Sequence, residues 1–415
     1  MVSRDLSERL RWRIQGYRNV MVDFQRDLTA INALGPESGG DGEWQRAVFI
    51  RETLAGMGLG YAREINASDI RVYGDRRPNL VLLQEGLQSS PVVWVMAHMD
   101  TVPPGDESLW DTPPFEMVER DGRIYGRGVE DNQQGLTAMI FALRAVLEEE
   151  LLPTSDVGLL FVADEENGNT YGLLHVLEAV PDLFHPQDMV VVPDFGAPDG
   201  DLLEIAEKSI LQVRFTVRGK QAHASMPDAG VNAHRAAAHL AVRLDDDLRE
   251  SFAEIDTVFD PPTCTFEPTR RETNIPNINT IPGLDRFWFD CRILPSVPVD
   301  LVKSRIEAVS GEIAAACGVK IETAYTGEHP AAPPTSAQAP VVLAVAAAVR
   351  QVRGVEPKIV GIGGGTVAAE FRRRGIPAVA WSTCDGVAHQ PNEYAVIDNM
   401  VADAVVLAHL FVREQ

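Results

Sequence analysis

The stretch Val92–Trp110, VVWVMAHMDTVPPGDESLW, decides how the rest of the chain is read. Val92–Ala97 is a short apolar run rich in Val, the length and composition of a buried strand. It ends on His98 and Asp100, two residues apart, and then breaks into a Pro-rich loop. In doubly wound sheets the crevice beyond the carboxyl ends of the strands is where ligands bind. An imidazole and a carboxylate therefore stand where chemistry is done in such a fold.

Outward from this strand the same texture repeats. NLVLLQE, VGLLFVADEENG and MVVVPDFG read as further short strands, the last two ending in acid. They alternate with helical patterns at Phe49–Leu59 and Gly135–Glu150. Strands interleaved with helices predict an α/β fold with a mostly parallel, helix-covered sheet. Near Lys208 the texture changes. ILQVRFTVRG alternates apolar and polar residues, and is followed by a helix over Val231–Leu248, the strand DRFWFDCRIL, a helix over Val299–Cys317 and the strand KIETAYT. That is a smaller α+β unit, and α/β texture resumes after the linker GEHPAAPPTSAQAP. The expected organisation is a catalytic domain in two parts, 1–207 and 328–415, interrupted by a lid or dimerisation domain, 208–327.

Composition narrows the partners. The chain has 415 residues, which fits two domains, and a formal net charge of −23. The acidic surplus argues against nucleic acid or an anionic membrane surface. Cys264, Cys291, Cys317 and Cys384 lack CxxC spacing, so neither a thiolate metal site nor a disulfide framework is expected. No apolar run reaches the roughly 18 residues of a membrane span, and the N-terminus lacks the apolar segment of a signal peptide. The expected location is the cytoplasm.

Ionisable residues recur at the predicted strand ends. His98 and Asp100 follow the first strand, Glu165 and Glu166 follow LLFVAD, Asp194 follows MVVVP, and His389 follows IPAVAWSTCDGVA. Asp131 stands after GRIYGRGVE, where it would open the next helix. Each alone has an ordinary reading, such as a helix cap, a turn or a solvated loop. Gathered at one sheet edge, so many charges need a cation. Imidazoles and carboxylates without thiolate suit zinc, with cobalt or manganese as substitutes. His98, Asp131, Glu166, Asp194 and His389 make five ligands. If one carboxylate bridges, each of two ions has three. Asp100 is then placed to accept the other N–H of His98, and Glu165 to act as general base.

At these residues the chain resembles the co-catalytic zinc metallopeptidases and deacylases that include glutamate carboxypeptidase, aminoacylase, acetylornithine deacetylase and succinyl-diaminopimelate desuccinylase. The signature is HMDTVPPGDESLW, then PPFEMVERDGRIYGRGVEDNQQG, then ADEENG. The resemblance implies that His98 and Asp194 hold one zinc, that Glu166 and His389 hold the other, and that Asp131 bridges them. It also implies a cis peptide after Asp131. VRGKQAHASMPDAGVNA resembles the lid-domain signature, and His223 there corresponds to a residue that enters the neighbouring subunit's site and stabilises the oxyanion. NINTIPG and DCR imply that Asn279 and Arg292 hold the substrate carboxylate. GIGGGT implies that Gly365 and Thr366 meet its acid end through backbone N–H groups.

Two departures bear on the substrate. DNQQG stands where many members have Asp-x-Lys-Gly, and Val367 where many have an acid. The expectation is a homodimeric dinuclear zinc hydrolase cleaving an amide beside a free carboxylate. Its substrates would be small: N-acyl amino acids, succinyl-diaminopimelate or dipeptides. An aminopeptidase with the same metal core and a non-catalytic metal-binding relative are the alternatives.

Overall fold

A computed structural model describes residues 2–412. The chain forms two compact units. The first comprises Met1–Ile205, Thr335–Val360 and Thr366–Gln415, and the second Ala206–Pro334 with Gly361–Gly365.

The first unit is built on an eight-stranded sheet. Its four central strands run parallel: Val157–Val162, Val93–His98, Met189–Gly196 and Ala378–Ser382. Antiparallel strands flank them, with Arg76–Gln84 and then Arg63–Ser68 on one side and Leu202–Glu207 on the other, and Lys358–Ile362 beyond the last is the eighth strand. Every residue of Val93–His98 and Val157–Val162 is buried. This explains their near-continuous apolar sequence: a parallel strand has helices over both faces.

One face carries Trp94, Met96, Leu160, Val162, Val190 and Val192 into a core with Leu173, Val176 and Phe371 from two short helices. The other face packs against helix Gly135–Glu148, which in turn packs against Ile397–Phe411. Both helices are buried on nearly all sides. Each fully buried Leu, Val or Phe side chain contributes about 1.5–3 kcal/mol relative to exposure.

Helix ends follow local chemistry. Pro340–Arg353 begins with Pro at its first position and stops at Gly354, φ 69°. The helix expected over Phe49–Leu59 runs from Trp44 to Gly56, because Gly58 at φ 75° ends it. Asp131 does not open a helix as the sequence led us to expect. It lies in a non-helical kink within Val129–Gln134, and the regular helix begins at Gly135.

In the second unit four antiparallel strands lie in the order Thr265–Arg271, Leu284–Ile293, Ser209–Arg218, Lys320–His329. Burial alternates residue by residue along Leu284–Ile293, the period-2 pattern of a sheet covered on one face. Helices Ala233–Ser251 and Val299–Cys317 pack together, and both contact the sheet. The first starts two residues later than expected because the Asn232 side chain accepts the Arg235 N–H as its cap.

Candidate functional site

Strand register brings the acidic ends together. His98 pairs with Val162 across parallel strands, so the two chains continue side by side into His98–Asp100 and Asp164–Glu166. The next strand carries Asp194. Asp131 comes from the kink before helix Gly135–Glu148, and His389 from the loop after Ala378–Ser382.

Two groups of ligand atoms result. His98, Asp131 and Asp194 form one, and Asp131, Glu166 and His389 the other; within each group the donor atoms lie within 4.8 Å of one another. Asp131 belongs to both. Its Oδ1 is 2.8 Å from His98 Nε2, and its Oδ2 is 3.1 Å from His389 Nε2. His98 Nε2 is 3.8 Å from Asp194 Oδ1, and His389 Nε2 is 3.2 Å from Glu166. The Asp131–Asn132 peptide is cis.

Neighbouring groups hold these side chains. His98 Nδ1 is 3.0 Å from the Asp100 backbone carbonyl, while the Asp100 carboxylate stands 3.6 Å away. That carboxylate accepts the backbone N–H groups of Glu165 and Glu166, both at 3.0 Å. Asp100 therefore fixes the imidazole with its main chain and the Glu165–Glu166 turn with its side chain. Beneath that turn the buried Arg77–Glu43 pair lies within 3.4 Å of Asp164, which sits at φ 60°. Asn132 Nδ2 donates to the Pro193 carbonyl and to Asp194 Oδ1, each at 2.7 Å.

The electrostatics are those of a site crowded with like charge. Burial, with Asp194, Asp100 and Glu166 adding to it against the pull of His98, pushes the Glu165 carboxyl well above its usual range. Burial and then Asp131 push Asp194 up to about 7. Hydrogen bonds to Asp131 and then Glu166 raise His389 to about 10. Protons thus offset the repulsion between buried carboxylates, which a divalent cation would relieve directly. The donor set, imidazole and carboxylate without thiolate, fits two such ions with Asp131 shared.

Of the remaining expected residues, all but Thr366 belong to the second unit. His223 and Thr280 pair across two short strands, and the Ala224 N–H donates to the Asn279 carbonyl at 2.9 Å, so His223 and Asn279 share one edge of the second unit. His223 is exposed, and its Nδ1 accepts the Ser225 N–H at 3.2 Å. Arg292 donates Nε to Asp290 at 2.6 Å and Nη1 to the Gly363 carbonyl at 2.7 Å. This brings the guanidinium to the Gly-rich turn. Gly365 ends the second unit's share of that turn, and Thr366 opens the first unit's last segment.

Fold and site together define a metallohydrolase with two adjoining ligand groups. Residues 94–413 match the family described as Peptidase family M20/M25/M40, and the chain belongs to it. It is similar to an uncharacterised metallohydrolase of Methanocaldococcus jannaschii, 36% identical over 93% of this chain and 97% of the relative. It is also similar to the succinyl-diaminopimelate desuccinylase of Alkalilimnicola ehrlichii, 30% identical over 74% of this chain and 80% of that protein. Among solved structures, the fold matches the aminopeptidase PepT of Bacillus cereus with a TM-score of 0.72 at 18% identity, covering 95% of this chain and 98% of that one. The protein is a hydrolase of amide or peptide bonds. No helix among the described residues is long and apolar enough to cross a membrane.

Proposed function

We propose that the protein is a dinuclear zinc amidohydrolase that cuts a small N-acyl amino acid or dipeptide at an amide beside a free carboxylate. The observation that carries this reading is Asp131, whose two oxygens face His98 and His389 separately. His98 and Asp194 would hold one ion, Glu166 and His389 the other, and Asp131 both. Bound zinc would supply Lewis acidity, polarising the amide carbonyl and making water acidic enough to yield a proton near neutral pH.

The chain's own residues do the rest. Glu165 lies beside both ligand groups and belongs to neither. It takes the proton from the attacking water and returns it to the leaving amine. A carboxyl whose surroundings favour the protonated form is suited to that return. Asp100 holds the Glu165–Glu166 turn through its backbone N–H groups. His223 of the partner subunit donates a hydrogen bond to the oxyanion, which makes the active form a homodimer. Acceptance of the Ser225 N–H at Nδ1 supports this role, because it leaves the ring proton on Nε2. Arg292, Asn279 and the backbone at Gly365 and Thr366 bind the substrate's acid end. Arg292 already meets Asp290 and Gly363, so a substrate carboxylate would join an ordered fork.

A substrate panel tests the proposal. Succinyl-diaminopimelate, acetylornithine, other N-acyl amino acids and dipeptides are assayed with zinc or cobalt, and again after chelation. Turnover that needs metal and a free substrate carboxylate is expected. Cleavage that instead requires a free α-amine would make the enzyme an aminopeptidase, and no turnover with both ions bound would make it a non-catalytic relative.

A further inference from the structure

Asp131 and His389 reach the site from loops far apart in the chain, and neither loop is regular. His389 itself has φ 64°, with Gly386 at 72° and Asn392 at 59°. A side-chain-bearing residue keeps the left-handed conformation only where its surroundings dictate it. Two buried carboxylates lie between these loops. Glu130, next to Asp131, accepts the backbone N–H groups of Asp385 at 2.6 Å, Val387 at 2.7 Å and Ala388 at 3.0 Å. These residues lead directly into His389.

The exchange is reciprocal. Glu393, four residues beyond His389, accepts the N–H groups of Gly128 at 3.1 Å, Glu130 at 3.0 Å and Asp131 at 3.2 Å. Arg127 Nη1 donates to the same carboxylate at 2.6 Å. The Glu393 carbonyl accepts the Gly126 N–H, and strand Tyr394–Val396 pairs antiparallel with Arg123–Tyr125. Tyr394 Oη donates to Asp385 Oδ2 at 2.8 Å, closing the circuit.

We propose that Glu130 and Glu393 are positioning residues that form a reciprocal clasp, each carboxylate reaching from one loop to the backbone N–H groups of the other and thereby setting the Asp131–His389 separation. The clasp is asymmetric with respect to the two ligand groups. Glu130 holds only the loop of His389, which serves one group. Glu393 holds the loop of Asp131, which serves both. This consequence rests on the ligand reading above; the hydrogen bonds do not.

Two measurements separate these levels. In the metal-free protein, Glu130→Gln should speed amide hydrogen exchange at Asp385, Val387 and Ala388 by about tenfold or more, with Gly128 and Asp131 near wild type. Glu393→Gln should show the reverse pattern. Unchanged protection, or a loss spread evenly over the chain, would overturn the clasp. Should Glu130→Gln not fold, Glu130→Asp keeps the charge, shortens the reach by one methylene and is read the same way.

Zinc titration against a competing chelator reads the second level. Glu130→Gln should weaken one of two ions by roughly 10–100-fold and leave the other within about twofold, whereas Glu393→Gln should weaken both. Equal weakening of both ions by Glu130→Gln, or of neither, would overturn the positioning role. A wild-type protein that takes fewer than two ions would instead refute the ligand reading, and hydrogen exchange would still decide the clasp.

Discussion

Glu165 and Glu166 are adjacent in the chain but meet different surroundings. Glu166 faces His389 at 3.2 Å and completes a ligand group, whereas Glu165 stands outside both groups. Glu165→Gln should therefore retain its metal and lose roughly 10²–10⁴-fold in kcat, the usual worth of general acid–base catalysis. Metal analysis beside steady-state kinetics checks this, and a third of wild-type kcat would remove Glu165 from the mechanism. Asp131→Ala should differ in kind. Both groups lose their shared donor, so metal content and thermal stability should fall together. Two ions still tightly bound in the purified variant would end the bridging assignment. The residues of the two donor groups were legible because each follows a strand end or a recognisable motif. Glu130, Glu393 and Asn132 were not, because the two glutamates accept backbone N–H groups and Asn132 donates to the Pro193 carbonyl and Asp194 Oδ1, contacts that leave no spacing in the sequence.

Among the elements, strands Val93–His98 and Val157–Val162 carry the site, and their contact depends on a glycine. A Cβ at Gly158 would lie 2.1 Å from Cε3 of Trp94, which is fully buried. Gly158→Ala forces that ring to move and should cost about 1–3 kcal/mol, measured by urea unfolding. Stability within error of wild type would show that the ring has room to shift. Trp94 packs against Phe184 with centroids 4.6 Å apart, so its displacement reaches the helices beyond. Apolar runs and alternation made these strands readable from sequence. Helix boundaries were less so: Asn232 caps one helix through a hydrogen bond, and the kink at Asp131 delays another until Gly135.

At the scale of the molecule, oxyanion binding by the partner subunit would require two chains for each site. If His223 of the partner subunit completes each site, two inactive variants should rescue one another. His223→Ala should lose roughly 10²–10³-fold in kcat, as removal of one oxyanion donor does. After subunit exchange with Glu165→Gln, each heterodimer has one site lacking both groups and one site intact. Random mixing should then restore about a quarter of wild-type activity, counted over the sites of two-fold dimers. No recovery, with exchange verified by tagged subunits, would place His223 in its own chain's site or outside the chemistry.

Local order in the chain already implied the alternation of strand and helix, the change of texture near Lys208 and the donor chemistry of His98, Asp131, Glu166, Asp194 and His389. These features repeat over a few residues, so propensity and periodicity expose them. Folding alone decided that Asp131 turns one oxygen to each imidazole, that His389 adopts a left-handed backbone, and that Arg292 lies between Asp290 and Gly363. Each depends on side chains meeting groups from distant segments. Such meetings are fixed by packing and by the need to satisfy buried polar atoms, and neither constraint leaves a local trace in the chain.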